Sequence, residues 1–216
     1  FWARRMARLL PAALLLFLVV AAWALLFAPS FRRPAIGADL LWCILYVGNW
    51  HFVATASYFT NDGTVSPLLH LWSLGVEEQF YVLWPLLLQA VAMLLASASH
   101  GRHARRDTVG ARDRTTKAVI ATGIFVAVIS LLLMARAYAG SATGADRAYM
   151  GTDTKVFEPI LGAVFAAATL RPTVAAFVTR HAQLLMGLGA LGLLAGVAFL
   201  GGHDGPQPAY FYGGAL

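Results

Sequence analysis

Residues 66–85 read S-P-L-L-H-L-W-S-L-G-V-E-E-Q-F-Y-V-L-W-P. Ser66 is a favoured N-cap residue and Pro67 suits the first helical position, so the stretch predicts the start of a helix. Apolar residues continue to about Ala96, with a kink expected at Pro85. Such a helix is roughly 45 Å long, whereas the hydrocarbon core of a bilayer is about 30 Å thick. One end is therefore expected to project from a bilayer or to lie within the protein.

Polar and aromatic side chains recur along this helix at intervals of three or four residues. They form one predicted stripe that consists of His70, Ser73, Glu77, Tyr81 and Trp84. Glu78 lies about 100° further round the helix and must face elsewhere. Ionisable groups at membrane depth are costly, so the first hypothesis is a functional one, with the stripe facing the protein interior.

A histidine and a carboxylate on one stripe suggest proton transfer. A partly desolvated Glu77, oriented together with His70, can act as a base. The alternative is structural: both groups only bond neighbouring helices, and the aromatic residues form an interfacial belt. Periodicity alone leaves both interpretations open.

The composition favours a membrane environment. Hydrophobic residues make up 59% of the chain and charged residues only 12%, whereas soluble domains carry about 25% charged residues. A soluble core of this size cannot bury so much apolar surface. We therefore predict an all-α fold, a polytopic transmembrane helix bundle. Besides the helix at 66–96, the predicted spans are Leu9–Ala28, Ala118–Ala135, Val156–Leu170 and Leu184–Leu200.

Cysteine content and charge disfavour other classes of function. Cys43 is the single cysteine, and no Cys/His spacing suggests a zinc site, so we expect no metal and no bound cofactor. The net charge is +6, but most of the positive charge lies in short segments between apolar runs. The positive-inside rule explains that distribution, and we expect no nucleic acid as a partner.

The stretch Ala38–Val53 decides the predicted topology. It is short and is broken at Gly48-Asn49, so it is either a short span or an interfacial or re-entrant helix. If it does not cross, eleven of the sixteen Lys and Arg residues gather on the cytoplasmic side. These lie in the Arg4–Arg8 cluster, in a predicted Ser97–Lys117 loop and at Arg171 and Arg180.

We expect this non-crossing arrangement, because it satisfies the positive-inside rule better than a full crossing does. It places Ser30–Pro67 and Ala139–Asp153 on the outer face. A turn is predicted at Asn61–Gly63 and a loop at Gly201–Pro208.

The 66–85 segment resembles the signature of the acyltransferase-3 family. That signature is a helix beginning Ser-Pro-Leu-Leu-His-x-Trp-Ser-Leu-x-Val-Glu-Glu-Gln-Phe-Tyr-x-x-Trp-Pro, and every fixed position is met here. Arg4–Pro11 is similar to the family's Arg-x-x-Arg element at the cytoplasmic mouth of a helix. Tyr149–Ala163 is similar to its Gly-Thr-Asp-Thr-Arg run, with Lys155 in place of the last Arg. The resemblance extends from Arg4 to at least Ala168.

The resemblance implies an integral O-acyltransferase that crosses the bacterial cytoplasmic (inner) membrane several times. Family members move an acyl group, usually acetyl from acetyl-CoA, to a hydroxyl of an extracytoplasmic carbohydrate. The expected partners are therefore the lipid bilayer, an acyl-CoA donor and a carbohydrate acceptor. Some members also carry a C-terminal hydrolase-like domain outside the membrane.

The resemblance also assigns roles to residues. The expected catalytic residues are Glu77 and His70, the expected donor-binding residues are Arg4, Arg5 and Arg8, and the expected supporting residues are Ser73, Glu78, Gln79, Tyr81 and Glu158. Guanidinium groups one turn apart suit phosphates, but they also serve as positive-inside anchors. Glu158 has an alternative role as the i, i+3 partner of Lys155.

Family members carry an earlier helix with a basic residue and an essential histidine, which no histidine of this chain replaces. We therefore interpret residues 1–216 as part of one transmembrane acyltransferase domain, truncated at both ends and inactive alone. Two other functions stay open. A polytopic transporter would need broken helices in corresponding positions of two halves, and the sequence does not indicate these. The other is a non-catalytic membrane scaffold that kept the fold.

Overall fold

The computed structural model describes residues 2–55, 58–59, 65–99, 108–140, 144–200 and 211–212. Within these ranges the chain is helical and contains no strand, which confirms the all-α prediction. A 3-10 turn at Leu69–Leu71 precedes the fourth α-helix. The α-helices are α1 (Trp2–Leu26), α2 (Arg33–Ile44), α3 (Gly48–Thr55), α4 (Trp72–Ser99), α5 (Thr108–Gly140), α6 (Gly144–Met150), α7 (Thr152–Lys155), α8 (Phe157–Thr169), α9 (Pro172–Arg180) and α10 (Ala182–Leu200).

Three helices are long and apolar enough to cross a membrane, so a multi-pass membrane protein is confirmed. They are α1, the 3-10 turn together with α4, and the 113–139 part of α5. Their large apolar side chains are widely exposed, as Leu18 at 68% and Leu26 at 72% illustrate. Such surfaces suit lipid and not water.

Two predicted boundaries need correction. The predicted span Val156–Leu170 is the 13-residue helix α8, which rises only about 20 Å and is too short to cross alone. It bends by 104° into α9, so the pair forms one broken element. The predicted Ser97–Lys117 loop is shorter than expected, because α4 runs to Ser99 and α5 already begins at Thr108. The predicted turn at 61–63 and loop at 201–208 lie outside the described residues.

The start of α4 also differs from the prediction. Ser66 is not the N-cap: its Oγ accepts a hydrogen bond from the Leu68 backbone N–H at 3.2 Å in a turn that precedes the helical residues. The first turn is a 3-10 turn, and the α-helix itself begins at Trp72. It continues through Pro85.

The chain divides into two compact units, residues 1–79 and 80–216. In the first unit, α2 and α3 fold back on each other as a helical hairpin. His51 Nε2 lies 2.8 Å from Asp39 Oδ1, and Gly48 lies against Cys43 at the closed end. These pairs fix an antiparallel packing of α3 on α2.

The two ends of this hairpin meet on one side. Arg33 Nε donates to the carbonyl of Ala28 at 3.1 Å, just after α1 ends. Arg32 Nη2 donates to the carbonyl of Val65 at 3.4 Å, just before the chain enters α4. The segment therefore returns to the level where it started, which the non-crossing arrangement predicted for Ala38–Val53 requires.

In the second unit, α8 packs antiparallel along α5. Arg171 pairs with Asp113 near the start of α5, Gly123 lies against Val164, and Ser130 Oγ accepts from the Phe157 backbone N–H at 3.3 Å. The sum of the two residue numbers stays nearly constant along these pairs, as antiparallel packing requires. Arg171 thus lies at the same end as Asp113, which agrees with the prediction that both belong to one side of the membrane.

Candidate functional site

Arg5 of α1 joins the two adjacent carboxylates of α4. Its Nε donates to Glu78 Oε1 at 2.8 Å, and its Nη2 donates to Glu77 Oε2 at 3.2 Å. Nη2 also lies 2.8 Å from Glu78 Oε1. A planar guanidinium carries several N–H donors in a fixed arrangement, so it can hold the oxygens of two carboxylates at once. The Arg-x-x-Arg element and the Glu-Glu-Gln motif therefore form one site.

The two carboxylates differ sharply in burial. The Glu77 side chain is 55% exposed, whereas that of Glu78 is 6% exposed. The prediction that the stripe containing Glu77 faces the interior is therefore wrong. His70, Ser73 and Glu77 are exposed, and Tyr81 and Trp84 are half-buried.

Long-range packing explains this reversal. The buried face of early α4 carries Gly75, Val76 and Glu78, and the hairpin packs closely against Gly75. Helical periodicity separated Glu77 from Glu78 correctly. It could not show which face the hairpin and α1 would cover.

Gln79 of α4 forms hydrogen bonds with the tip of the hairpin, the turn around Tyr46 and Asn49. Its Nε2 donates to the carbonyl of Tyr46 at 2.8 Å and to Asn49 Oδ1 at 2.9 Å, while its Oε1 accepts from Trp50 Nε1 at 3.2 Å. Asn49 is fully buried. These three bonds hold the turn between α2 and α3 against α4.

Tyr46 and Asn49 are site residues that the sequence interpretation missed. Tyr46 adopts a positive φ of 56°, which a bulky residue rarely does and which reverses the chain between α2 and α3. Burial and the nearby Glu78 carboxylate raise the pKa of the Tyr46 phenol, while the Arg5 guanidinium lowers it. The phenol therefore lies within electrostatic reach of the Arg5–Glu78 pair. The break at Gly48-Asn49 was the one signal in the sequence.

The three arginines at the start of α1 line an open pocket. Its volume is about 830 Å³, and its lining includes Arg4, Arg5, Ala7, Arg8 and Leu9. Arg4 and Arg8 are exposed, whereas Arg5 is half-buried and holds the carboxylates. Pockets of this size hold drug-sized or cofactor-sized ligands. The lining is cationic, so an anionic ligand fits it best.

His70 and Glu77 do not contact each other. Within the described residues no hydrogen bond involves the His70 ring, and its carbonyl accepts from Ser73 Oγ at 3.3 Å. The histidine that does pair with a carboxylate is His51, which bonds Asp39 and stacks on Trp42 with ring centroids 5.7 Å apart. That pair bridges α2 and α3, so it holds the hairpin closed.

A second polar cluster lies in the second unit, around the Gly-Thr-Asp-Thr-Lys run. Lys155 is 2% exposed, its Nζ lies 2.6 Å from Glu158 Oε1, and it stands 4.9 Å above the Tyr149 ring. Arg147 pairs with Asp153 at 2.7 Å. A buried ammonium needs such partners. Glu158 is therefore the i, i+3 partner of Lys155, as the alternative interpretation expected.

Gly151 permits the close packing of this cluster. A Cβ at this position would overlap the guanidinium of Arg147 and would stand 2.8 Å from Thr154 Oγ1. Only glycine lets Arg147 lie across the backbone here.

The sequence of the chain is similar to those of known acyltransferases. The family described as an acyltransferase domain matches residues 1–216. The peptidoglycan O-acetyltransferase OatA of Listeria monocytogenes is 31% identical over 218 residues, which cover 100% of this chain and 32% of that protein. The O-acetyltransferase OatA of Staphylococcus aureus is 37% identical over 171 residues, which cover 77% of this chain and 24% of that protein. No solved structure matches the chain.

The chain thus spans a third or less of the length of these relatives. The match nevertheless extends over the whole chain, through both the Arg-x-x-Arg element and the Glu-Glu-Gln motif that meet in the site. The chain belongs to the acyltransferase-3 family of membrane acyltransferases.

Proposed function

We propose that this chain is the membrane-embedded part of an O-acetyltransferase that acetylates a hydroxyl of a cell-wall glycan, in the cytoplasmic membrane of a bacterium. The family membership and the names of the relatives from Listeria and Staphylococcus support this proposal. The helices that suit a bilayer support the location.

The observation that carries the proposal is the bond between Arg5 and both carboxylates at the wall of a cationic pocket. The pocket would bind an anionic donor, and the carboxylates would act on the reacting hydroxyl next to it. Acyl-CoA is the donor we propose, because its phosphates match exposed guanidinium groups. Arg4 and Arg8 are the expected phosphate contacts, since Arg5 already holds Glu77 and Glu78.

The reaction requires one proton acceptor. The acceptor hydroxyl loses its proton, its oxygen bonds the acyl carbon, the bond from that carbon to sulfur breaks, and the thiolate takes up a proton. Glu77 is exposed and can approach a substrate, so we propose it as the carboxylate that orients or deprotonates the hydroxyl. His70 is exposed on the same stripe and is proposed to assist it. Glu78 is buried and is proposed to position Arg5.

The proposal is tested with the intact parent protein in membrane vesicles, supplied with peptidoglycan fragments and acetyl-labelled acetyl-CoA. We expect labelled O-acetyl groups on the glycan. Arg8→Gln should raise KM for the donor by roughly tenfold, as expected for one charged hydrogen bond, with a smaller effect on kcat. Arg136→Gln is the control, because it removes an exposed arginine from α5.

The outcomes separate the parts of the proposal. Acetylation that proceeds with another acetyl donor but not with acetyl-CoA would refute only the donor. Label that accumulates in the vesicle lumen without attachment to glycan would favour a transporter. No transfer from any acetyl donor would refute the function itself.

A further inference from the structure

Helix α9 differs from the other apolar elements of the second unit. It has nine residues, none of them buried, and its axis turns by 104° from that of α8. Since α8 runs along α5, which suits a membrane span, α9 runs roughly across the direction of that span. A helix in this orientation does not continue the crossing.

The start of α9 lies at the boundary of the apolar region. The apolar part of α5 begins at Asp113. Asp113 pairs with Lys117 at 2.6 Å and with Arg171 at 3.4 Å. Arg171 directly precedes α9, so α9 leaves from a cluster of charges at the level where the apolar span begins.

The sequence of α9 is amphipathic. Val174 and Val178 lie one turn apart and are half-buried, whereas Thr179 and Arg180 lie on the opposite face and are exposed. Phe177, between these faces, is 57% exposed. Its ring packs against that of His181, with centroids 4.5 Å apart. An exposed phenylalanine beside a cationic face is typical of a helix that lies in a membrane interface.

We infer that α9 lies flat at the membrane surface and binds anionic phospholipid headgroups, with Phe177 inserted among the acyl chains. Charge complementarity identifies the occupant. Arg171 and Arg180 stand at the two ends of the helix, and Lys117 lies beside Arg171 through Asp113. The Nε of Arg171 is buried and has no hydrogen-bond partner. Arg180 forms no ion pair with any described residue, so its charge is available to a phosphate.

Depth measurements test the orientation. Nitroxide labels are placed at Phe177→Cys and Thr179→Cys in a Cys43→Ala background, and the intact protein is reconstituted into bilayers. The two positions lie nearly opposite each other on the helix. We expect the label at 177 to be relaxed mainly by oxygen, which concentrates in the bilayer, and that at 179 by a water-soluble nickel chelate. Two oxygen-accessible labels would mean that α9 crosses the bilayer, and two nickel-accessible labels would mean that it lies in water. Either result overturns the inference.

A second measurement tests the headgroup preference. The association of spin-labelled phosphatidylglycerol with the protein is compared with that of spin-labelled phosphatidylcholine. Arg180→Gln should reduce the preference for phosphatidylglycerol about fivefold, the effect of one arginine at an anionic surface. Arg136→Gln, which removes an exposed charge from α5, should leave it unchanged. An equal effect of the two substitutions, or none from Arg180→Gln, would refute headgroup binding.

Discussion

Glu77 and Glu78 are neighbours in sequence, yet their environments are opposite. Both bond Arg5, but the side chain of Glu78 is 6% exposed and that of Glu77 is 55% exposed. A buried carboxylate on a guanidinium is a structural anchor, because removing one partner leaves the other charge unpaired. An exposed carboxylate can exchange its partner for a substrate. Substitution of each residue should therefore have a different consequence.

Glu77→Gln should abolish acetyl transfer in the parent protein while leaving its membrane insertion and level nearly unchanged. The amide keeps the shape of the side chain but cannot take a proton, so a rate loss of roughly 10²–10⁴-fold is expected. The measurement is initial rate per amount of inserted protein. Asp113→Asn, which removes a carboxylate from the second unit, is the matched control. Near-normal activity in Glu77→Gln would exclude it as a proton acceptor.

Glu78→Gln should lower the stability of the folded protein. The amide cannot neutralise Arg5, and the loss of a buried charged hydrogen bond is expected to lower the free energy of unfolding by about 1–3 kcal/mol. Thermal unfolding in detergent measures this loss. If the pairing is the cause, Glu78→Gln combined with Arg5→Gln should cost less than the sum of the single substitutions. Additive losses would show that Arg5 does not depend on Glu78.

The reactivity of the Cys43 thiol shows whether the hairpin of α2 and α3 is closed. Burial, with a contribution from the Asp39 charge, raises the pKa of this thiol to about 12. The thiolate is the reactive form, so the folded protein should resist alkylation at pH 8, far below that pKa. The thiol should react promptly once denaturant opens the hairpin. Rapid alkylation under native conditions would show that α2 and α3 separate readily.

At the scale of elements, the hairpin depends on glycine where α4 touches its tip. A Cβ at Gly75 would stand 3.0 Å from Asn49 Oδ1 and 3.2 Å from the Tyr46 carbonyl oxygen. Gly75→Ala should therefore push the tip away and cost about 1–3 kcal/mol of stability. Gly37→Ala is the matched control, because it lies within α2 with no atom near its missing side chain. It should stabilise the helix by about 0.5–1 kcal/mol. A loss in both variants would argue against a specific contact at Gly75.

The elements also show what the sequence could and could not predict. Apolar length located α1, α4 and α5, and the signature at 66–85 identified the segment that carries Glu77, Glu78 and Gln79. The pairing of Arg5 with Glu78 joins residues 73 positions apart, and no local pattern specifies it. Tyr46 was missed for a related reason, since its positive φ is held by a bond from Gln79, which follows α3 in the chain. Local periodicity shows which residues share one face of a helix, but only long-range packing determines which face is buried.

At the scale of the whole molecule, whether the hairpin crosses the membrane determines the direction in which each later helix crosses it. If it does not cross, Phe31 and Val65 lie on the outer face and Ser99, at the end of α4, lies in the cytoplasm. Single cysteines at 31 and 65 should react with an impermeant maleimide on intact cells, and a cysteine at 99 only after permeabilisation. Labelling of 31 and 65 from opposite sides would mean that the hairpin crosses the membrane.

The contact between Gln79 and Asn49 also has a consequence for biogenesis. The two residues are separated by thirty positions in the chain, so the hairpin tip has no partner when it leaves the ribosome. The insertion machinery, which responds to hydropathy alone, therefore encounters the apolar hairpin before Gln79 exists. The Gln79 side chain can bond the tip only after this part of α4 has been synthesised. Membrane insertion of this region is therefore expected to finish as a folding event, after translation has moved past α4, and not as stepwise threading of one helix after another.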